Sequence, residues 1–353
     1  MKLDMMVAGL PLRAMQDSAR AASAAGFDGL VITEAGRTAY LACAAAALAA
    51  DIDVATGIAV AFARSPMVTA QIAWELAEVT GGRFRLGLGT QVRAHVVRRY
   101  GAEFDPPGPR LKEYVDAVRA IFDAFSGGGP LDVHGNWWNL SLLPAAWSPG
   151  PIGVPAPKID VAGVNPWMIR MAGSTADGLH VHPLNTTAYL DQTVAPNVAA
   201  GAASAGRSPD AIEVMVPAFV AVGDTDEERS RWREIARMQV AFYGSTPNYA
   251  FIFEQIGHEG TTERIRERQK AGDVTGMARI VTDDMLGHFL IDSTWSDLPS
   301  HLADRYARRA DRVIVYFAGL QLTEDPDAGQ RWAEVAAALR SHDVNAIRKD
   351  KVP

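Results

Sequence analysis

Residues 53–92 read DVATGIAVAFARSPMVTAQIAWELAEVTGGRFRLGLGTQV. An apolar run rich in β-branched residues, Asp53–Val60, gives way to a helix opened by Ser65-Pro66 and stopped by Gly81-Gly82. A second apolar run, Phe84–Leu88, then ends in glycines. Strand, crossover helix and strand within about thirty residues is the length a parallel βαβ unit requires. Both strands finish in small residues: Gly57, Ala59 and Ala61 in the first, Gly87, Gly89 and Thr90 in the second. Such ends are where a parallel sheet presents its ligand.

The same alternation continues in both directions. Buried-strand runs are read at Leu3–Ala8, Gly29–Thr33, Asp53–Val60, Phe84–Leu88, Ile159–Ala162, Gly178–Val181, Glu213–Val222 and Arg312–Phe317. Helical patterns lie between them at Leu12–Ala25, Tyr40–Ala50, Val68–Thr80, Leu111–Phe125, Trp167–Ala176, Tyr189–Ala205 and Asp226–Phe242, with a last one at Ala328–Leu339. Eight strands alternating with eight helices predict an α/β fold of the (β/α)8 TIM-barrel type. An open doubly wound sheet would carry a Gly-x-Gly-x-x-Gly turn after its first strand, and Gly9-Leu10-Pro11 contains none. The expectation is one barrel domain over residues 1–353, with insertions at about 126–158 and 244–311 on the C-terminal rim.

The 353 residues are 48% hydrophobic and 21% charged, ordinary for a globular enzyme with a large core. A net charge of -7 argues against a nucleic-acid partner. The longest apolar stretch, Ala39–Ala50, is Ala-rich and too short to cross a bilayer, and the first residues do not read as a secretion signal. The lone Cys43 has no partner for an internal disulfide. A cytoplasmic protein acting on a small molecule, without nucleic acid or membrane, is expected.

Candidate site residues follow the strand ends. Gly163-Val164-Asn165-Pro166 reads as a tight turn into a capped helix, whose amides favour an anion such as phosphate. An ordinary capped helix is the competing reading. Arg37, Arg64, Arg93, Arg98 and Arg99 follow strands two to four and converge on one rim in a barrel, where guanidinium groups suit phosphates and carboxylates. His180 and His182 are read as facing opposite sides of strand six, so no metal site is expected. Trp137-Trp138 either covers a flat ring or clamps its loop.

Four blocks, AASAAGFDGLVITEA, the stretch from Thr56 to Val92, PRLKEYVDAVRAIF and VAGVNPWMIRMAGSTADGLHVHPL, resemble the bacterial-luciferase-like superfamily. The likeness is strongest to its actinobacterial branch using the deazaflavin coenzyme F420. It implies a barrel that binds a deazaflavin or flavin across its C-terminal rim, with a cis-peptide bulge at Gly57-Ile58, beside Ala59, against the ring. It further implies ring contacts at Glu34, Gly89, Thr90 and Gln91, and phosphate contacts at Ala162, Gly163, Val164 and Asn165. Arg64 and Arg93 belong to the basic rim that would hold the phosphate and polyglutamate tail. Where sugar-phosphate and alcohol-oxidising relatives carry an acid after strand four, this chain has Gln91, and Ala35 stands where they place a histidine. Glu34, Gln91, His95 and His182 are the catalytic candidates. The function implied is an F420-dependent oxidoreductase, a homodimer through helices flanking strands two to four. The alternatives are an FMN-dependent two-component monooxygenase and a non-catalytic cofactor-binding barrel.

Overall fold

A computed structural model describes residues 1–349, with side chains through Ser341. Residues 350–353 of the expected domain lie outside the described residues. Eight parallel strands form the barrel: β1 (Lys2–Ala8), β2 (Gly29–Thr33), β3 (Asp53–Thr56), β4 (Phe84–Gly89), β5 (Lys158–Gly163), β6 (Gly178–Val181), β7 (Glu213–Val222) and β8 (Arg312–Val315). Each pairs with the next, and β8 returns to β1 in the register Lys2↔Arg312 through Met5↔Val315, so the sheet closes. The (β/α)8 architecture read from the sequence is the observed one.

Three strand details differ. The run Asp53–Val60 is not one strand: β3 stops at Thr56, and Ala59–Val60 pairs separately with the end of β4. The last strand ends at Val315 rather than Phe317, because Tyr316-Phe317 already turn toward the helix Ala318–Glu324. A short strand, Leu290–Ser293, lies inside the second insertion and pairs with the outer half of β7. Its four residues hold only two apolar side chains, too few for periodicity to reveal.

The helix after β3, Pro66–Val79, begins as its sequence dictates: Ser65 accepts the Val68 N–H at 3.3 Å and Pro66 takes the first turn. Its inner face buries Ala70, Ala73, Trp74 and Ala77, and Trp74 stacks on Phe122 with centroids 5.5 Å apart. Cys43 is fully buried in the helix Ala39–Ala47, and burial pushes its thiol far above the ordinary range.

The barrel interior is layered. An apolar layer of Val31, Ala55, Met215 and Ile314, with Met6, fills the middle. Beneath it lie two ionic staples. Arg312 grips Asp4 through two bonds of 2.6 and 2.7 Å and reaches Asp53 at 2.9 Å. Arg85 grips Asp160 at 2.8 and 2.6 Å and reaches Glu213 at 2.9 Å. Burial works against both guanidinium charges, but the adjoining carboxylates more than offset it, and both groups stay protonated. Gly29 and Gly178 leave room for the staples; a Cβ would stand 2.7 Å from Arg312 Nη2 at the first and 2.5 Å from Asp160 Oδ1 at the second.

Candidate functional site

At the C-terminal rim, β3 breaks at the peptide between Gly57 and Ile58, which is cis, at the position the resemblance implies. The bulge is held on every side. Gly57 N–H donates to Ile32 O at 2.9 Å, and the Thr33 hydroxyl donates to Gly57 O at 3.0 Å. On the β4 side the Thr56 hydroxyl donates to Gly87 O at 2.8 Å. A Cβ on Gly87 would lie 2.0 Å from Thr56 O, and one on Gly89 would lie 2.8 Å from Ile58 Cδ1. The Ile58 side chain therefore lies over a strand end kept bare by glycine.

Glu34, at the end of β2, is buried with 3% of its side chain exposed. Its Oε2 accepts the Val60 N–H at 2.8 Å and Arg64 Nη1 at 3.0 Å, and its Oε1 accepts Arg64 Nη2 at 2.5 Å. Arg64 also donates to Thr38 Oγ1 at 3.2 Å and lies 4.9 Å from the centre of the Tyr40 ring. Burial disfavours the Arg64 charge, yet Glu34 raises its pKa above the ordinary value.

After β4, the Thr90 hydroxyl donates to Gln91 O at 3.1 Å, and Gln91 adopts a left-handed backbone with φ 58°. A non-glycine residue there costs on the order of 1 kcal/mol and is concentrated at ligand sites. The Gln91 side chain turns back, its Oε1 accepting the Val92 N–H at 2.9 Å. His95 lies exposed on the short helix Arg93–Arg99. Arg98 lies exposed on the same helix, and the other four arginines sort into two groups. Arg64 and Arg93 are neutralised, by Glu34 and Asp105. Arg99 and Arg37 donate to the carbonyls of Ala35, at 2.6 Å, and Gly9, at 3.2 Å, and keep their net charge on the rim.

Ala162 and Gly163 complete β5, paired with His180 and Val181. Asn165 then caps the helix Pro166–Thr175, its Oδ1 accepting the Met168 N–H at 3.0 Å. The Tyr189 hydroxyl fixes the turn by donating to Val164 O at 2.7 Å. A Cβ on Gly163 would stand 3.2 Å from Ile169 N, so the turn packs tightly on the helix start.

His180 and His182 do not diverge as expected, because residues two apart on a strand share a face. They are separated by depth. His180 sits inside the barrel, 3.9 Å from Asp160 Oδ2, with its Nε2 unpartnered. Burial, reinforced by Arg85 and Arg312, lowers its pKa to about 3. His182 leaves the strand end half-buried, its ring centre 4.8 Å from Tyr243 and 4.5 Å from Tyr249. Burial lowers its pKa to about 3 as well, and Nδ1 accepts the Leu184 N–H at 3.0 Å. The proton of this neutral imidazole therefore resides on Nε2. Tyr243 and Tyr316 share a hydroxyl–hydroxyl bond of 2.6 Å. These tyrosines escaped the sequence reading: Tyr316 falls inside a run read as strand, Tyr243 stands just past the helix read as Asp226–Phe242, and Tyr249 lies in the second insertion. Among the described residues no group of three or more His, Cys, Asp or Glu is placed to hold a metal ion.

A closed parallel barrel with a bulged strand three and a capped turn after strand five defines a class of rim-binding (β/α)8 proteins. The luciferase-like monooxygenase family matches residues 3–316, and the chain belongs to it. Members of that family are oxidoreductases or monooxygenases. The chain is 34% identical to the uncharacterized protein Rv1360 of Mycobacterium tuberculosis over 318 residues, 90% of this chain and 93% of the relative. It is 28% identical to the 5,10-methylenetetrahydromethanopterin reductase of Archaeoglobus fulgidus over 254 residues, 70% of this chain and 71% of the other. Among solved structures, the coenzyme F420 dependent tetrahydromethanopterin reductase from Methanopyrus kandleri superposes with a TM-score of 0.75 at 20% identity, covering 97% of this chain and 99% of that one. That last likeness is one of fold.

Proposed function

We propose that this protein is an F420-dependent oxidoreductase, moving a hydride between the deazaflavin and a small organic substrate. The observation that carries the reading is the platform at Gly57-Ile58, laid against the bare strand end at Gly89. A flat ring suits that surface, and a phosphate suits the helix start behind Asn165. Bound there, the deazaflavin supplies two-electron hydride chemistry. Ile58, Ala59, Gly89, Thr90 and Gln91 would back and edge the ring; Ala162, Gly163, Val164 and Asn165 would hold the phosphate. Arg37 and Arg99, which meet no carboxylate among the described residues, favour an anionic tail, whereas Arg64 and Arg93 have their charges taken up internally. His182 presents Nε2–H as a neutral donor to a substrate oxygen or nitrogen, beside Tyr243 and Tyr249. His95, exposed, has no comparable setting.

The reading extends to assembly and place. Leu41 and Leu48, with Val68 and Val79, are exposed on the helices flanking strands two to four, as a homodimer face would require. Among the described residues no helix is long and apolar enough to cross a membrane, which accords with a cytoplasmic enzyme.

Fluorescence titration tests the cofactor assignment directly. Micromolar or tighter binding of F420, with weaker binding of FMN, is expected. Tight FMN binding with oxygen uptake driven by a flavin reductase would instead make the protein a two-component monooxygenase. Binding without turnover over a panel of enones, imines and nitro compounds would make it a cofactor-binding barrel.

A further inference from the structure

Glu34 has the chemistry of a proton carrier but not the setting of one. Both oxygens are occupied, one by Arg64 alone and the other by Arg64 and the Val60 N–H. Three donors take three of the roughly four acceptor sites of the carboxylate, and the side chain is 3% exposed. What Glu34 does reach is the far side of the strand-three bulge. Its neighbour Thr33 reaches the near side, donating to Gly57 O at 3.0 Å. Two consecutive residues at the end of β2 thus hold the segment Gly57–Val60 at both ends.

Arg64 completes the arrangement. It leaves the turn that follows the bulge, returns to Glu34 with two of its nitrogens, and contacts Val60 O at 3.4 Å and the Tyr40 ring. The pair closes a loop of chain from residue 60 to residue 64 through a charge-assisted, bidentate contact, the geometry in which guanidinium and carboxylate fix each other best. A surface that a flat cofactor leans on must be held to a fraction of an ångström, and side chains locked by their own partners do that work.

We propose that Glu34 and Arg64 are positioning residues: a buried clamp that sets the height of the Gly57–Val60 platform under the cofactor ring, while proton transfer is left to other groups. The inference rests on the cofactor site proposed above, and its test separates the two. In the unliganded protein, hydrogen exchange at the Val60 amide reports the clamp without any cofactor. Val60 is expected to be protected in the wild type and to exchange at least tenfold faster in Glu34→Ala and Arg64→Ala. Unchanged exchange would overturn the clamp whatever the cofactor.

Titrations with F420 and with FMN then read its consequence. Glu34→Ala and Arg64→Ala should each weaken the bound cofactor by about tenfold to a hundredfold. The double variant should be little worse than either single one, since the two act as a unit. Glu34→Gln keeps an acceptor for Val60 N–H but sets an NH2 group against Arg64, so it should recover only part of the affinity lost in Glu34→Ala, and its residual turnover should keep the wild-type pH profile. It also serves where the alanine variant fails to fold. Wild-type affinity in Glu34→Gln with turnover lost at every pH would make Glu34 the proton carrier and end the proposal. If the wild type binds neither cofactor, the proposed function falls, and Val60 exchange alone decides the clamp.

Discussion

His180 is a titratable group that folding removes from titration. The unfolded chain takes up this proton near the ordinary value of 6.5, whereas the folded chain does so only near 3. The unfolded state thus binds more protons between those limits, so stability is full above about pH 6.5 and declines as pH falls toward 3. Each bound proton contributes about 1.4 kcal/mol per pH unit. His180→Leu should flatten the dependence of unfolding free energy by up to that amount between about pH 4 and 6, measured by urea unfolding across the range. A variant with the wild-type slope would show that His180 titrates freely. The histidine was legible in the sequence as a residue type, but its depth was not. Depth follows from the register Ala162↔His180 and Met215↔His180, which only the closed barrel establishes. Glu34 shows the same boundary: its place after strand two was readable, but its partner Arg64 lies thirty residues away across a bulge.

The strand ends divide by what stands opposite each glycine. A Cβ on Gly87 would meet the Thr56 carbonyl, which is backbone and cannot move aside; one on Gly89 would meet the tip of Ile58, which can rotate. Gly87→Ala is therefore expected to cost about 1–3 kcal/mol or more, and Gly89→Ala clearly less. Thermal unfolding of the two variants checks the order, and equal losses would contradict it. Glycine-rich ends were plain in residues 84–89, whereas the split of the run 53–60 was not derivable from periodicity, because consecutive apolar residues stand on both sides of the break, Val54-Ala55 before it and Ile58-Ala59-Val60 after it. In the first insertion one side chain holds three consecutive amides. Glu113 accepts the N–H groups of Asn136, Trp137 and Trp138 at 2.7–2.9 Å. Burial opposes its charge, but the three amides together more than offset it and hold its carboxyl below the usual range. Trp138 meets the Tyr114 ring edge-on at 5.1 Å and lies 5.4 Å from the Arg110 guanidinium, the loop-clamping alternative for that aromatic pair. Glu113→Ala should speed limited proteolysis between residues 126 and 158 severalfold while leaving the thermal midpoint nearly unchanged. Intact resistance would mean that the tryptophan packing alone holds the loop.

At the scale of the molecule, the barrel is closed by charge as well as by hydrogen-bonded strands. Arg312 on β8 grips Asp4 on β1 and Asp53 on β3, across the inside of the sheet. Removing one member of a buried pair leaves the other uncompensated, so Arg312→Met is expected to cost about 3–5 kcal/mol. Adding Asp4→Asn to it should cost less than the two single losses together. Denaturant unfolding of the three variants measures the coupling, and simple additivity would mean that the staple does not act as a unit. The barrel class was legible because eight alternations fit few other topologies. The staple was not, because an acid at position 4 and an arginine at position 312 look like ordinary charges near strand starts until the chain closes. That closure has a consequence for how the protein is made. During synthesis the carboxylates of Asp4 and Asp53 leave the ribosome long before Arg312, whereas Lys2, the other partner of Asp53, is already present. Until then the growing sheet has an open seam and Asp4 lacks its partner, so the staple can form only when the last strand docks.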